Sequence, residues 1–346
     1  MDLCAIPAAS PPPGHTPNLI DPPSLAGTTV VVTTSLITWA TLFIAARLYT
    51  RFGNLSSADC DSDFAAIALV LSAGYNGRVL AMLQYARHQW DIPACWFDAT
   101  YMKILYAQGA LMGPVIFFAK ASILLLYQQI FPLEKPMKLA IRLGLVATFV
   151  IYWPHVALES YFCAPHVGET WTDLLITRRP EKMIFWGILQ GTLAVMDLCI
   201  LILPLPRLWT LQLSRPKRLQ IMTLFSTAML GVVASAMALA YRIGLKTSSD
   251  LTFIQSQLFI CINVENNIAI IVSCVPSVAK FIRSDVVESS FFRSLRSMFR
   301  SSSRGYGSDA NDGVEISGGI GKRPRSHVVE ANDEYHELQG LVSEAR

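Results

Sequence analysis

Seven stretches of this chain are each apolar enough and long enough to cross a lipid bilayer. They run roughly over residues 25–46, 64–85, 104–130, 138–162, 183–210, 219–242 and 253–279. A crossing helix needs about 20 mostly apolar residues, whereas a membrane strand needs only about 10 with alternating polarity. These runs are too long and too evenly apolar for a barrel. Composition agrees: 15% of residues are charged and 52% hydrophobic, against roughly 25% charged in soluble domains. A chain this poor in charge cannot give a soluble enzyme its polar skin, and it is too apolar to stay disordered. A net charge of +3 is too small for a nucleic-acid surface. The expected fold is all-α, a seven-transmembrane helix bundle over 25–283. No internal repeat of the inverted-transporter kind is legible.

Lys and Arg placement sets the expected orientation. With the N-terminus outside, nineteen basic residues fall on inner connectors and the C-terminal segment, against seven on outer connectors. Arg207, Arg215, Lys217 and Arg218 contribute strongly, and Arg215, Lys217 and Arg218 mark a candidate contact for a cytoplasmic partner. The arrangement predicted is N-out and C-in. Residues 1–24 carry six clustered prolines from Pro11 to Pro23 and no Lys or Arg. They read as a disordered tail rather than a secretory signal. The sequon at Asn54 falls in an inner connector and reads as a chance match. In 284–300, Phe291, Leu295, Met298 and Phe299 recur at helical spacing between Arg293, Arg296 and Arg300. That pattern predicts a short amphipathic helix on an anionic leaflet. The Ser-, Gly- and charge-rich residues 301–346 read as a disordered cytoplasmic tail.

Ionisable groups at membrane depth are costly and mark function or assembly. Lys120, Asp197 and Glu265 fall near one layer, in the third, fifth and seventh runs. Two readings stand: a polar site in the bundle, or an ion pair that fixes helix order. Asn266 and Asn267 follow Glu265, and because each helical step turns about 100°, at least one of the three must meet a neighbouring helix. Pro276 and Pro154 are candidate kinks. Nearer the outer face lie Tyr75, Asn76 and Arg78, with His155 and Glu159 four apart on one helical face. These suggest a vestibule open to the outside. Arg242, at the end of the sixth run, reads as an interfacial anchor. Cys95 and Cys163 both fall on the outer, oxidising side and form the candidate disulfide. No three or four residues have metal-ligand spacing, and no phosphate-binding loop, zincin motif or nucleophile elbow is present. A retinal Schiff base needs a lysine midway along the seventh helix; Glu265 stands there, and the next lysine is Lys280. No cofactor is expected.

Several stretches, taken in order, resemble the fungal rhodopsin-domain integral membrane proteins. This family includes Pth-type receptor-like proteins and membrane proteins of satratoxin-type biosynthetic clusters. The matching residues are Arg47-x-Tyr49-x-Arg51, Asp61 and Asp63, His88-Gln89-Trp90-Asp91-Ile92-Pro93, and Lys120-Ala121-Ser122 through Tyr127. They continue with Cys163-Ala164-Pro165 and Trp171, Asp197 through Leu203-Pro204-Leu205-Pro206-Arg207-Leu208-Trp209, Arg242 with Asp250-Leu251-Thr252, Val264-Glu265-Asn266, and Cys274-Val275-Pro276. The resemblance covers roughly 25–283. A further cysteine usual in the family between Trp171 and the fifth run is missing, which leaves Cys95 as the partner for Cys163. The cysteine-rich domain of some receptor-like members has no counterpart in 1–24. The resemblance implies a seven-helix membrane protein in the plasma membrane or an endomembrane. Its function is either receptor-like binding of a small apolar molecule within the bundle, or a role as embedded enzyme or accessory protein in fungal secondary metabolism.

Overall fold

In lipid no water is available to satisfy backbone N–H and C=O groups, so apolar runs close their hydrogen bonds internally as helices. The computed structural model describes residues 2–53, 60–130, 135–177, 179–192, 202 and 215–282. Its helices are α1 Ala26–Gly53, α2 Cys60–Ala81, α3 Ala99–Ile130, α4 Lys135–Tyr152, α5 Pro154–Cys163, α6 Asp173–Thr177, α7 Lys182–Thr192, α8 Arg215–Thr247 and α9 Leu251–Phe281. Among the described residues no strand occurs, only isolated bridges between Pro7 and Pro93 and between Ser24 and Arg87. Six helical stretches there are long and apolar enough to cross a membrane: Ala26–Arg51, Ser62–Ala81, Ala99–Gln128, Lys135–Cys163, Ser226–Thr247 and Leu251–Ala279. Of the run expected over 183–210, the 11 residues of α7 open it as helix. Most of the remainder, including Asp197, lies outside the described residues. So do the sequon at Asn54 and the whole of 284–346.

The helices pack in chain order, α1 on α2, α2 on α3, α3 on α4 and α5, α5 on α7, α7 on α8 and α8 on α9. Contact between α9 and α1 closes the ring. α9 also meets α2 and α3 across the middle. Accordingly 67% of the most apolar stretch of α9 and 56% of that of α3 are buried, against 22–33% elsewhere. These two helices form the interior, and the outer faces of the others are the lipid-facing surface. The fourth run breaks at Trp153, where α4 gives way to α5 beginning at Pro154. Proline lacks the N–H that would continue the ladder, so the predicted kink falls there. Pro276 lies within α9, which continues to Phe281.

At one end of the bundle a cap forms. Residues 2–24, expected to be a disordered tail, lie instead against the 82–98 connector. Ala8 N donates to Ile92 O at 2.8 Å, Ala94 N to Ile6 O at 2.9 Å, and Asn18 N to the Asp91 carboxylate at 2.8 Å. Cys4 is bonded to Cys95, with Cα atoms 5.0 Å apart. This corrects the expected Cys95–Cys163 pairing, since Cys163 is a buried thiol on α5. The stretches His88–Pro93 and Asp250–Thr252 interlock within the same cap. The His88 ring stacks between Trp90 and Phe253, with centroids 4.6 and 4.1 Å away. Its Nδ1 and the Gln89 N–H both meet the Asp250 carboxylate, and Thr252 Oγ1 donates to Arg87 O at 2.8 Å. Asp98 caps α3 by accepting the Tyr101 N–H at 2.9 Å, which holds its carboxyl below the usual range.

The opposite end is tied by Arg47. Buried on α1, it donates through Nε to Ser62 Oγ of α2 at 3.1 Å and through Nη1 to Ser273 O of α9. Arg51 pairs with Asp63 nearby, but Arg51 is only half-buried and Asp63 is exposed, and such surface pairs are worth little.

Candidate functional site

Two polar centres lie inside the bundle. The first joins α3 to α9. Lys120 Nζ is 3.0 Å from a Glu265 oxygen and donates to Tyr152 Oη of α4 at 2.8 Å. Its ammonium also sits over the Tyr152 ring, 4.9 Å from the centroid. The pair borders a small cavity of about 50 Å³ shared with Tyr127, Gly231 and Ser235. Glu265 turns away from Asn267, which faces α1 and α2: Asn267 Nδ2 donates to Asn263, Asn263 Nδ2 to Thr33 Oγ1 at 2.9 Å, and Ser72 Oγ to Asn267 Oδ1 at 3.4 Å. Asn266 is buried too, and its Nδ2 has no partner among the described residues.

The second centre lies toward the disulfide end. It is a cavity of about 150 Å³, walled by α2, α3, α5, α7, α8 and α9. Leu105, Met112, Ile184, Leu245, Leu258 and Phe259 give it an apolar wall. Polar groups converge on it from five helices: Tyr75 of α2, Gln108 of α3, His155 and Glu159 of α5, Arg242 of α8 and Gln255 of α9. Tyr75 and Gln108 are each 1% exposed and His155 is 3% exposed. Tyr75 faces Gln108, and His155 faces the Gly109 backbone and Gln190, yet among the described residues the Tyr75 hydroxyl, both Gln108 amide atoms and both His155 ring nitrogens make no hydrogen bond of good geometry. His155 Nε2 lies 3.8 Å from a Glu159 oxygen, beyond hydrogen-bond length. Such groups are rare in folded proteins and call for an explanation.

Glycine creates the room. Gly109 and Gly113 lie four apart on α3, so they share a face. A Cβ on Gly109 would collide with the Glu159 carboxylate, and one on Gly113 would lie 2.5 Å from the Tyr152 carbonyl oxygen. Gly187 and Gly191 repeat the spacing on α7. A Cβ at Gly191 would lie 2.9 Å from Leu239 Cδ1 of α8, and the Gly187 carbonyl accepts from Arg242 Nη1 at 2.9 Å. Small residues at this spacing let membrane helices approach closely.

His155 and Glu159 thus come together as their spacing suggests, and Lys120 meets Glu265. Arg78 does not join either centre; it is exposed near the end of α2. Arg242, expected as an interfacial anchor, is 8% exposed and lines the cavity. Gln108, Cys4 and the two glycine pairs were not singled out in the sequence. The Gly-x-x-x-Gly spacing was the available signal for the last.

The fungal rhodopsin domain profile matches residues 46–284. A "SAT4 family membrane protein" of Emericella nidulans is 27% identical over 215 residues, 61% of this chain and 53% of that protein. The chain therefore spans about half the length of that relative. "Fugralins biosynthesis cluster protein 2" of Gibberella zeae is 25% identical over 312 residues, 85% of this chain and 74% of that protein.

Proposed function

The chain belongs to the fungal rhodopsin domain family, and on that premise we propose that it binds a small, mostly apolar molecule within its helix bundle in a receptor-like way. The observation that carries this reading is the 150 Å³ cavity with unpartnered polar atoms on Tyr75, Gln108 and His155. Ligand pockets are mostly apolar with a few placed polar groups, and a bound molecule with hydrogen-bonding atoms would satisfy those left over. An engineered apolar cavity of about this volume accepts benzene, so one ring or a short chain fits. α8 lends Arg242 and Leu245 to the wall and begins at Arg215. A shift of α8 on binding would carry the event to a partner at Arg215, Lys217 and Arg218.

The test uses purified full-length protein and a panel of single-ring phenols and acids, read by thermal stabilisation. At least one compound raises the unfolding temperature of the wild type. Leu258→Trp, which fills the cavity, loses the effect, whereas Val233→Trp on the lipid face keeps it. Equal stabilisation of Leu258→Trp sinks the reading. The name of the Gibberella zeae relative favours a second one, participation in a biosynthetic pathway. Mass spectrometry of the recovered compound separates the two: unchanged compound supports binding, and a converted one supports an embedded enzyme.

The reading places the disulfide end outside. The excess of Lys and Arg on inner connectors supports it, as does a disulfide between residues 4 and 95, because such bonds persist in oxidising compartments. In sealed microsomes of a Cys4→Ser, Cys60→Ser variant, an impermeant maleimide should leave Cys95 unlabelled until detergent opens the vesicles. Labelling of Cys95 without detergent would invert the orientation.

A further inference from the structure

Resting on that reading of the cavity, we propose that its ligand is an anion: a small organic acid whose carboxylate seats on Arg242 while its hydrocarbon part lies along the apolar wall. Arg242 is 8% exposed. Its Nη1 donates to the Gly187 carbonyl at 2.9 Å, and its Nη2 reaches only the Met112 sulfur, at 3.9 Å. Among the described residues no Asp or Glu oxygen lies within 4.0 Å of the guanidinium. Guanidinium carries five N–H donors and does not shed its proton, so the charge stays whatever the surroundings. A buried cation without counter-charge is strongly unfavourable, more so among membrane helices. Lys120, by contrast, is paired with Glu265; among the described residues Arg242 has no such carboxylate.

The carboxylate that shares the cavity, Glu159, lies beside His155 and Cys163 and not on the guanidinium. One Glu159 oxygen lies 3.8 Å from His155 Nε2, and the Cys163 thiol hydrogen-bonds to the Glu159 side chain. The remaining unpartnered groups suit an incoming anion. Gln108 offers an amide donor, Tyr75 a hydroxyl and His155 a ring N–H. A carboxylate has about four acceptor sites, enough for the guanidinium and two of these. Gln255 apart, the rest of the wall is mostly hydrocarbon and thioether, and it selects an acid with a ring or a short chain.

The probe is 4-fluorophenylacetate, observed by fluorine NMR on the full chain in phosphatidylcholine nanodiscs. Its methyl ester is the neutral comparison and octanoate the competitor. The acid should bind saturably, about tenfold or more tighter than the ester, as a charge-assisted bond implies. Arg242→Gln should erase that preference. Gln108→Leu, which keeps the guanidinium, should weaken the acid by less. The wild-type comparison of acid with ester needs no variant, so a misfolded Arg242→Gln does not spare the proposal. Equal affinities overturn it, and so does a preference that survives in folded Arg242→Gln. Ester binding without acid binding removes the anion and leaves the cavity reading intact, whereas saturable binding of neither removes both. Octanoate should displace the probe from the same site, and failure to compete counts against recognition of the carboxylate.

Discussion

Lys120→Met should destabilise the folded bundle by about 3–5 kcal/mol, the range for breaking a buried pair from one side. The loss has two parts. The Glu265 carboxyl is left in the interior without the ammonium 3.0 Å away, and Tyr152 Oη loses the Lys120 donor. Glu265→Gln should also be costly, because it leaves the ammonium without a counter-charge, although the amide oxygen still accepts from Lys120. Combining the two changes should cost less than their sum, with a coupling of roughly 1–3 kcal/mol as for residues in direct contact. Reversible unfolding in mixed micelles measures all three. If the two changes add without coupling, the pair does not hold α3 against α9, and the reading of Lys120 and Glu265 as an assembly device is wrong. If they couple but the cavity near the disulfide end still binds its probe, assembly and ligand binding are separate tasks of separate layers.

That separation was not legible in the sequence. Six of the seven long runs were, because the period and length of apolar residues state directly what can cross lipid. So was the meeting of His155 with Glu159, since residues four apart on a helix share a face whatever the tertiary structure. Arg242 was misread because a basic residue ending an apolar run looks the same whether it reaches water or folds back onto a neighbouring helix. The Gly187 carbonyl that receives it lies 55 residues away in sequence. The disulfide failed for a similar reason. Pairing depends on Cα separation, and a proline-rich segment gave no hint that Cys4 would be brought to Cys95. His88–Pro93 and Asp250–Thr252 stood out as motifs, but their chemistry was hidden until His88 was seen stacked between Trp90 and Phe253 with its nitrogen on Asp250. They build the cap.

The second large effect is steric and reaches both centres at once. Gly113 sits where α3 crosses the α4–α5 junction, and a Cβ there would lie 2.5 Å from the Tyr152 carbonyl oxygen and 3.3 Å from His155 Cβ. The carbonyl belongs to the backbone and cannot swing aside, so α3 must move. Gly113→Ala should therefore cost about 2 kcal/mol, within the range for overpacking, although alanine is the better helix former by roughly 0.5–1 kcal/mol. Gly113→Leu should yield no folded protein. Gly77→Ala is the contrast: nothing lies within 4 Å of its added Cβ, so only the helix-forming gain remains and stability should hold or rise. Because Tyr152 receives Lys120 and His155 lines the cavity near the disulfide end, the alanine at 113 should also weaken probe binding while the one at 77 leaves it unchanged. Thermal unfolding and probe titration on the two alanine variants decide the matter. Equal stability of Gly113→Ala and the wild type would mean that α3 and the α4–α5 junction do not pack this closely, and the geometry of the cavity would have to be redrawn.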